Sequence, residues 1–206
     1  MESSDSGRSV WMRAALSGVA LGGLVLIVFL VAPAIAQRVD CAFVSGDCVG
    51  TDNRDTMIGS SGHDAIFAKD EQDRILPGDG GDNVYAGPGS DRVEGSDGAD
   101  EINGGDGADA GCDGGLPAGI LGGSGGDILD GGNAGDLLWD RTGSDTFRGG
   151  EGDDLIIARG QGDNSGDDVH GGGGTDVCLV DPADHDYADC ELNYPYGTVS
   201  VCGGSY

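Results

Sequence analysis

An aspartate recurs every nine residues between Val49 and Ile156, with an apolar residue two positions behind it and glycines ahead of it. Divided from Val49, the chain falls without gap into twelve nonapeptides, among them "LPGDGGDNV", "NGGDGADAG", "LGGSGGDIL" and "RGGEGDDLI". Asp fills the seventh position in eleven of the twelve, and the ninth is apolar in eleven. Carboxylates at fixed spacing beside exposed turn carbonyls are hard oxygen donors. They suit a hard cation that takes oxygen ligands alone. Glycines at the second, third and fifth positions admit left-handed backbone, which lets turn carbonyls aim at one centre. The candidate ligands are Asp55, Asp64, Asp73, Asp82, Asp91, Asp100, Asp109, Asp127, Asp136, Asp145, Asp154 and Asp176.

The elements that must carry these groups cannot be helices, where each interior glycine costs up to ~1 kcal/mol. The period reads instead as turn, short strand, turn, short strand. Residues eight, nine and the next first position form the strand. Because neighbouring strand residues face opposite ways, the ninth side chain points inward and the first outward. After Ile156 the register slips by four residues in "IARGQGDNSGDDV" and returns as "HGGGGTDVC".

These repeats resemble the calcium-binding repeats-in-toxin (RTX, hemolysin-type) nonapeptides, G-G-x-G-x-D-x-U-x. "GGxGxD" is complete at Gly104 to Asp109, Gly122 to Asp127, Gly149 to Asp154 and Gly171 to Asp176. The resemblance implies an all-β fold, a right-handed parallel β-roll solenoid with two nonads per coil and calcium between stacked turns. It then implies two aspartate columns. One holds Asp64, Asp82, Asp100, Asp136 and Asp154, with a vacancy where "CDGGLPAGI" has Leu116, Pro117 and Ala118. The other holds Asp55, Asp73, Asp91, Asp109, Asp127 and Asp145, and is weakened at the glycine-free "FAKDEQD". Metal is expected above all along Asp91, Asp109, Asp127 and Asp145.

Thirty-seven acidic against ten basic side chains give a formal charge of -27, with a single lysine, Lys69. That balance excludes nucleic acid and disfavours anionic membranes, both of which need clustered cations. Residues 1–36 differ in kind: Arg8 and Arg13 precede an uncharged run from Ala14 to about Ala32, and Ala34 and Ala36 stand ahead of Gln37. This is the pattern of a secretory signal peptide. Its rival is a retained membrane anchor, since the run is just long enough to span a bilayer. Either way the remainder is exported, as a disulfide-stapled cap over 37–48, the roll over 49–178, and a C-terminal cap or tail over 179–206. Six exported cysteines favour disulfides, with Cys41–Cys48 and Cys178–Cys190 the preferred local pairs and the pairing of Cys112 and Cys202 left open.

The outward first positions Phe67, Tyr85, Leu121 and Trp139 would line one apolar stripe. It either meets a protein or cell-surface partner or is covered by the tail with Tyr187, Leu192, Tyr194 and Tyr196, the second being preferred. "GGSGG" at Gly122 to Gly126 copies a nucleophile-elbow pattern, but Ser124 sits in a repeat turn rather than between strand and helix. His63, His170 and His185 fit no zinc spacing, and "DPADHDYADCE" lacks an EF-hand core. The expectation is a non-catalytic, secreted calcium-binding protein that folds on binding calcium, as a structural or interaction module. The alternative is an accessory module of an exported hydrolase or other enzyme. The RTX toxins leave cells through a C-terminal signal, so the N-terminal signal expected here does not carry toxin activity over.

Overall fold

The computed structural model describes residues 37–41, 47–113, 116–140, 142–159, 166–186, 189–190, 192–193, 200–201 and 204–205. The segment 1–36, expected to be an export signal or anchor, lies outside them, as do Tyr187, Tyr194 and Tyr196 and the side chains of Cys112 and Cys202.

A nonad leaves room for little more than three extended residues between its turns, and strands such as Arg74–Leu76 and Asn83–Tyr85 are that short. Each strand pairs in parallel with those of the coils before and after: Val84 faces Ile66 on one side and Ile102 on the other. Two stacked sheets result. The first sheet runs through Gln37–Asp40, Asp55–Ile58, Arg74–Leu76, Arg92–Asp97, Ile120–Gly125, Leu137–Trp139, Leu155–Ala158, Val177–Val180 and Leu192–Asn193. The second runs through Cys48–Val49, Ala65–Phe67, Asn83–Tyr85, Glu101–Asp106, Ile128–Asn133, Thr146–Glu151, Asp168–Gly173 and His185–Asp186. No α-helix occurs among the described residues, and the architecture is an all-β solenoid, the β-roll.

The inward row is the predicted ninth position. All eleven of its apolar members, from Met57 to Ile156, are at most 1% exposed. Val169 and Cys178 extend the row past the register slip, whose four extra residues leave the pairing of Phe147 with Val169 intact. One large side chain per half-coil, with small ones such as Ala68 and Ala86 beside some of them, makes a thin core, so its dispersion and hydrophobic gain per coil are small.

The ends continue the roll. Gln37–Asp40 pairs with Asp55–Ile58, and Leu192–Asn193 with Val177–Val180, so both caps contribute coils. The two expected disulfides staple these coils, with Cα separations of 5.4 Å for Cys41–Cys48 and 5.9 Å for Cys178–Cys190. Cross-linking across twelve residues removes roughly 3 kcal/mol of chain entropy from the unfolded state. Replacing Cys178 and Cys190 by serine is therefore expected to lower the melting temperature of the calcium-loaded protein by several degrees, read by differential scanning calorimetry.

All of the nonad "CDGGLPAGI" before its last two residues departs from the roll's parallel pattern. Gly111–Asp113 and Leu116–Ala118 pair antiparallel, and the chain re-enters at Ile120, whose strand lies beside Arg92–Asp97. The cause is at Gly111, the one ninth position without an apolar side chain. Ile120 fills that place in the core at 1% exposure. Nonads 103–111 and 112–120 thus share one half-coil, and every later nonad moves to the opposite sheet.

That shift corrects the expected stripe. Phe67 and Tyr85 lie on the second sheet, stacked with ring centroids 5.1 Å apart, whereas Leu121 and Trp139 lie on the first. On the outer face of the first sheet Leu137, Ile157 and Leu179 form a separate buried apolar cluster, with Trp139 and Leu155 packed against it.

Candidate metal centre

From the third nonad on, most turns repeat one backbone shape, with the third and usually the fifth position left-handed, as at Gly105 (φ 104°) and Gly107 (φ 124°). The glycine-free turn keeps that shape: Lys69 and Glu71 sit at φ 84° and 77°. Non-glycine residues pay ~1 to 2 kcal/mol for such a conformation. The expected weakness at "FAKDEQD" is therefore one of strain, since Asp73 remains buried in its column. Glycine at the second position has a different cause. A Cβ on Gly104 would stand 2.2 Å from Asp109 Oδ2, and one on Gly149 would stand 2.3 Å from Asp154 Oδ2. Where the second residue is glycine, the carboxylate of the same nonad lies against its bare Cα, as at Gly50, Gly95, Gly104, Gly131 and Gly149.

The aspartates form two ladders. One Oδ1 in each step accepts the backbone N–H of the aspartate one coil earlier, at 2.6 to 2.9 Å. One ladder is Asp55, Asp73, Asp91, Asp109, Asp136, Asp154 and Asp176. The other is Asp64, Asp82, Asp100, Asp127, Asp145 and Asp167. The expected columns are thereby corrected: the shunted nonad makes Asp127 follow Asp100 and Asp136 follow Asp109, each 27 residues on. No step is vacant at Ala118, and the expected run Asp91, Asp109, Asp127, Asp145 is divided between the two ladders.

All twelve predicted ligands stand in these ladders, and all but the half-buried Asp64 are at most 4% exposed. Their second oxygens carry the chemistry. Asp55 Oδ1 and the Oδ2 atoms of Asp73, Asp82, Asp91, Asp100, Asp109, Asp127, Asp136 and Asp154 are buried without a hydrogen-bond partner. Burial pushes Asp109 up to about 8, against the opposing hydrogen bond from Asp91 N–H and with the charges of Asp91 and Asp136 adding to the rise. Burial likewise lifts Asp73 and Asp136 to about 7 and Asp91, Asp100 and Asp154 to about 6. Asp82 and Asp127 are raised for the same reason. Rows of buried carboxylate oxygens without hydrogen-bond donors fit a hard cation, and neighbouring turn carbonyls would complete the oxygen donor set that calcium takes.

Two ladder residues escaped the nonad count. Asp167 is 4% exposed and accepts Asp145 N–H at 2.9 Å; its signal was the "DDV" that follows the four-residue insertion. Asp184 accepts Asp167 N–H at 3.2 Å. A third residue, Asp140, occupies a glycine position and carries no repeat signal at all. Ser124 donates its hydroxyl to Asp97 on the stacked turn, at 2.5 Å. The histidines are dispersed: His63 hydrogen-bonds the Gly81 carbonyl, while His170 and His185 approach Asp189 and Asp168 at 3.7 and 3.8 Å.

A family model for the RTX calcium-binding nonapeptide repeat (four copies) matches residues 49–84, 76–110 and 121–156. The shunted hairpin falls in the interval between the last two matches. No curated protein and no solved structure matches the chain. The repeat match, the β-roll and the paired aspartate ladders together place the chain in the family of RTX calcium-binding nonapeptide repeat proteins.

Proposed function

We propose that the chain is a secreted, non-catalytic module whose roll assembles when calcium enters the two ladders, giving a rigid acidic rod for structural or interaction work outside the cell. RTX repeats make it a calcium-binding module. The observation that carries the proposal is the pair of buried carboxylate columns with one unpartnered oxygen at successive steps. Asp73, Asp91, Asp109, Asp136 and Asp154 would hold ions along one edge, and Asp82, Asp100, Asp127 and Asp145 along the other, with the turn carbonyls beside them. Calcium there supplies charge neutralisation and nothing chemical is transformed. The export pattern in residues 1–36 and the two disulfides support an extracellular setting, where low-affinity sites fill at millimolar calcium.

Binding that is coupled to folding makes the ion's free energy the folding free energy. Titrating calcium into the chelated protein is expected to give a cooperative gain of strand circular dichroism, accompanied by calorimetric uptake of several ions per chain. A spectrum that calcium leaves unchanged overturns the proposal.

A further inference from the structure

At one step of the second ladder a third carboxylate joins the pair. In the turns stacked along that edge, the second position is Gly59, Pro77, Gly95 and Gly122 before this coil and Ala158 after it, but here it is Asp140. Its side chain is 2% exposed. Gly123 N–H donates to its Oδ2 at 3.0 Å, and Thr142 N–H approaches its Oδ1 at 3.4 Å, so the group is turned inward toward the preceding coil. A Cβ built on Gly122 would lie 2.3 Å from Asp140 Oδ2 and 2.6 Å from Asp127 Oδ2, which means that both oxygens converge over one bare glycine. Asp127, Asp140 and Asp145 offer ligand oxygens that all lie within 4.8 Å of one another.

Two features of the cluster fit an ion. Oxygens bound at ~2.4 Å to one calcium are at most ~4.8 Å apart, the full width of its coordination sphere. The three carboxylates fit inside that limit. Independently, Asp127 is 1% exposed, and its Oδ2 lies toward the Asp140 carboxylate with no N–H or hydroxyl donor on it. Cation affinity in oxygen sites rises with the number of charged ligands. This step adds a carboxylate where the repeat has glycine, and among the described residues it gives the one cluster of three carboxylates this close.

We propose that Asp127, Asp140 and Asp145 form a distinct three-carboxylate site for calcium, or for a trivalent lanthanide in its place, and that it fills before the repeat's ordinary sites. The inference rests on the calcium-binding reading and assigns the tightest site within it. Filling it ties coil 121–129 to coil 139–147, immediately after the shunted nonad, where the ladders change partners. From that clamp the roll can grow in both directions.

The test uses the full chain and terbium as the probe, excited at 295 nm through Trp139, the residue next to Asp140; the only other tryptophan is Trp11. In Asp140→Asn the amide oxygen still accepts Gly123 N–H, so only the charge is lost. Asp140→Gly restores the residue found at Gly95 and Gly122. In the wild type, the first equivalent of terbium is expected to give most of the tryptophan-sensitised emission, displaceable by calcium. In both variants its midpoint should rise at least tenfold, while strand circular dichroism at saturating calcium is retained. A first-equivalent midpoint within twofold of wild type in either variant overturns the assignment and leaves the calcium reading standing. Absence of any terbium or calcium response in the wild type overturns the reading itself.

Discussion

In excess chelator at pH 8 the chain is expected to lose its strand circular-dichroism signature, and acidification to pH 5 in the same chelator is expected to bring much of it back. Among the described residues, Asp55, Asp73, Asp82, Asp91, Asp100, Asp109, Asp127, Asp136 and Asp154 each bury a carboxylate oxygen without a hydrogen-bond donor. Holding an uncompensated ion out of water costs several kcal/mol even after relaxation, and adjacent charges at the ~4.8 Å coil spacing repel by about 3 kcal/mol at an effective dielectric of ~20. Folded domains have only about 5 to 15 kcal/mol in hand. A core this thin cannot carry that load, so the metal-free roll opens. Protons are the other way to discharge the ladders. Burial raises Asp109 to about 8, Asp73 and Asp136 to about 7, and Asp91, Asp100 and Asp154 to about 6, all above the ordinary carboxylate value near 3.9 of an unfolded chain. Between pH 8 and pH 4 the folded, metal-free form therefore binds more protons than the unfolded one, and its stability rises as pH falls. Above pH 8 that contribution is absent. Protons and calcium compete for the same oxygens, so the calcium midpoint should move to higher concentration between pH 8 and pH 6. A chain that is compact in chelator at pH 8, or indifferent to acid there, contradicts the argument.

What the sequence makes legible is whatever depends on the period. The seventh-position aspartates, the inward ninth position, the short strands and the two local disulfides all follow from residue type at fixed spacing, because a solenoid repeats its environment as strictly as its sequence. Legibility fails where neighbours in the stack are not neighbours in the count. Gly111 marks the shunted nonad, but only against a requirement that every half-coil plug the core. Without that requirement the ladders are followed by parity, and Asp127 and Asp136 fall in the wrong columns. Asp167 is displaced from the count by the insertion, although its ladder bond is ordinary. Asp140 is the hardest case, because an aspartate at a glycine position reads as decay of the motif. Its meaning comes from Asp127 one coil away. The glycines themselves needed the structure: the third and fifth positions serve the left-handed turn, whereas the second makes room for a carboxylate.

Asp109→Asn should change sign with calcium, which separates the two duties of a ladder residue. Its Oδ1 accepts Asp91 N–H at 2.7 Å, and its own N–H is donated to Asp136 Oδ1 at 2.7 Å; its Oδ2 is buried without a partner. An asparagine side chain can keep the bond to Asp91 through its amide oxygen, while the second oxygen and the charge are gone. With calcium, the sites that share this carboxylate lose a charged ligand, and the calcium midpoint is expected to rise about tenfold or more, equivalent to about 1.4 kcal/mol. In chelator the same change removes a ladder charge that burial strongly disfavours, so the variant should keep more strand signal at pH 8 than the wild type and respond less to acid. Asp109→Ala is the contrasting case. It also discharges the site but strands the buried Asp91 N–H, a loss of about 1 to 3 kcal/mol, and should be less stable than Asp109→Asn whether calcium is present or not. Urea unfolding of the three proteins in calcium and in chelator reads both comparisons. If asparagine and alanine prove equally harmful in chelator, the Oδ1 bond is not what holds the ladder. If asparagine leaves the calcium midpoint unmoved, Oδ2 is not where the ion rests.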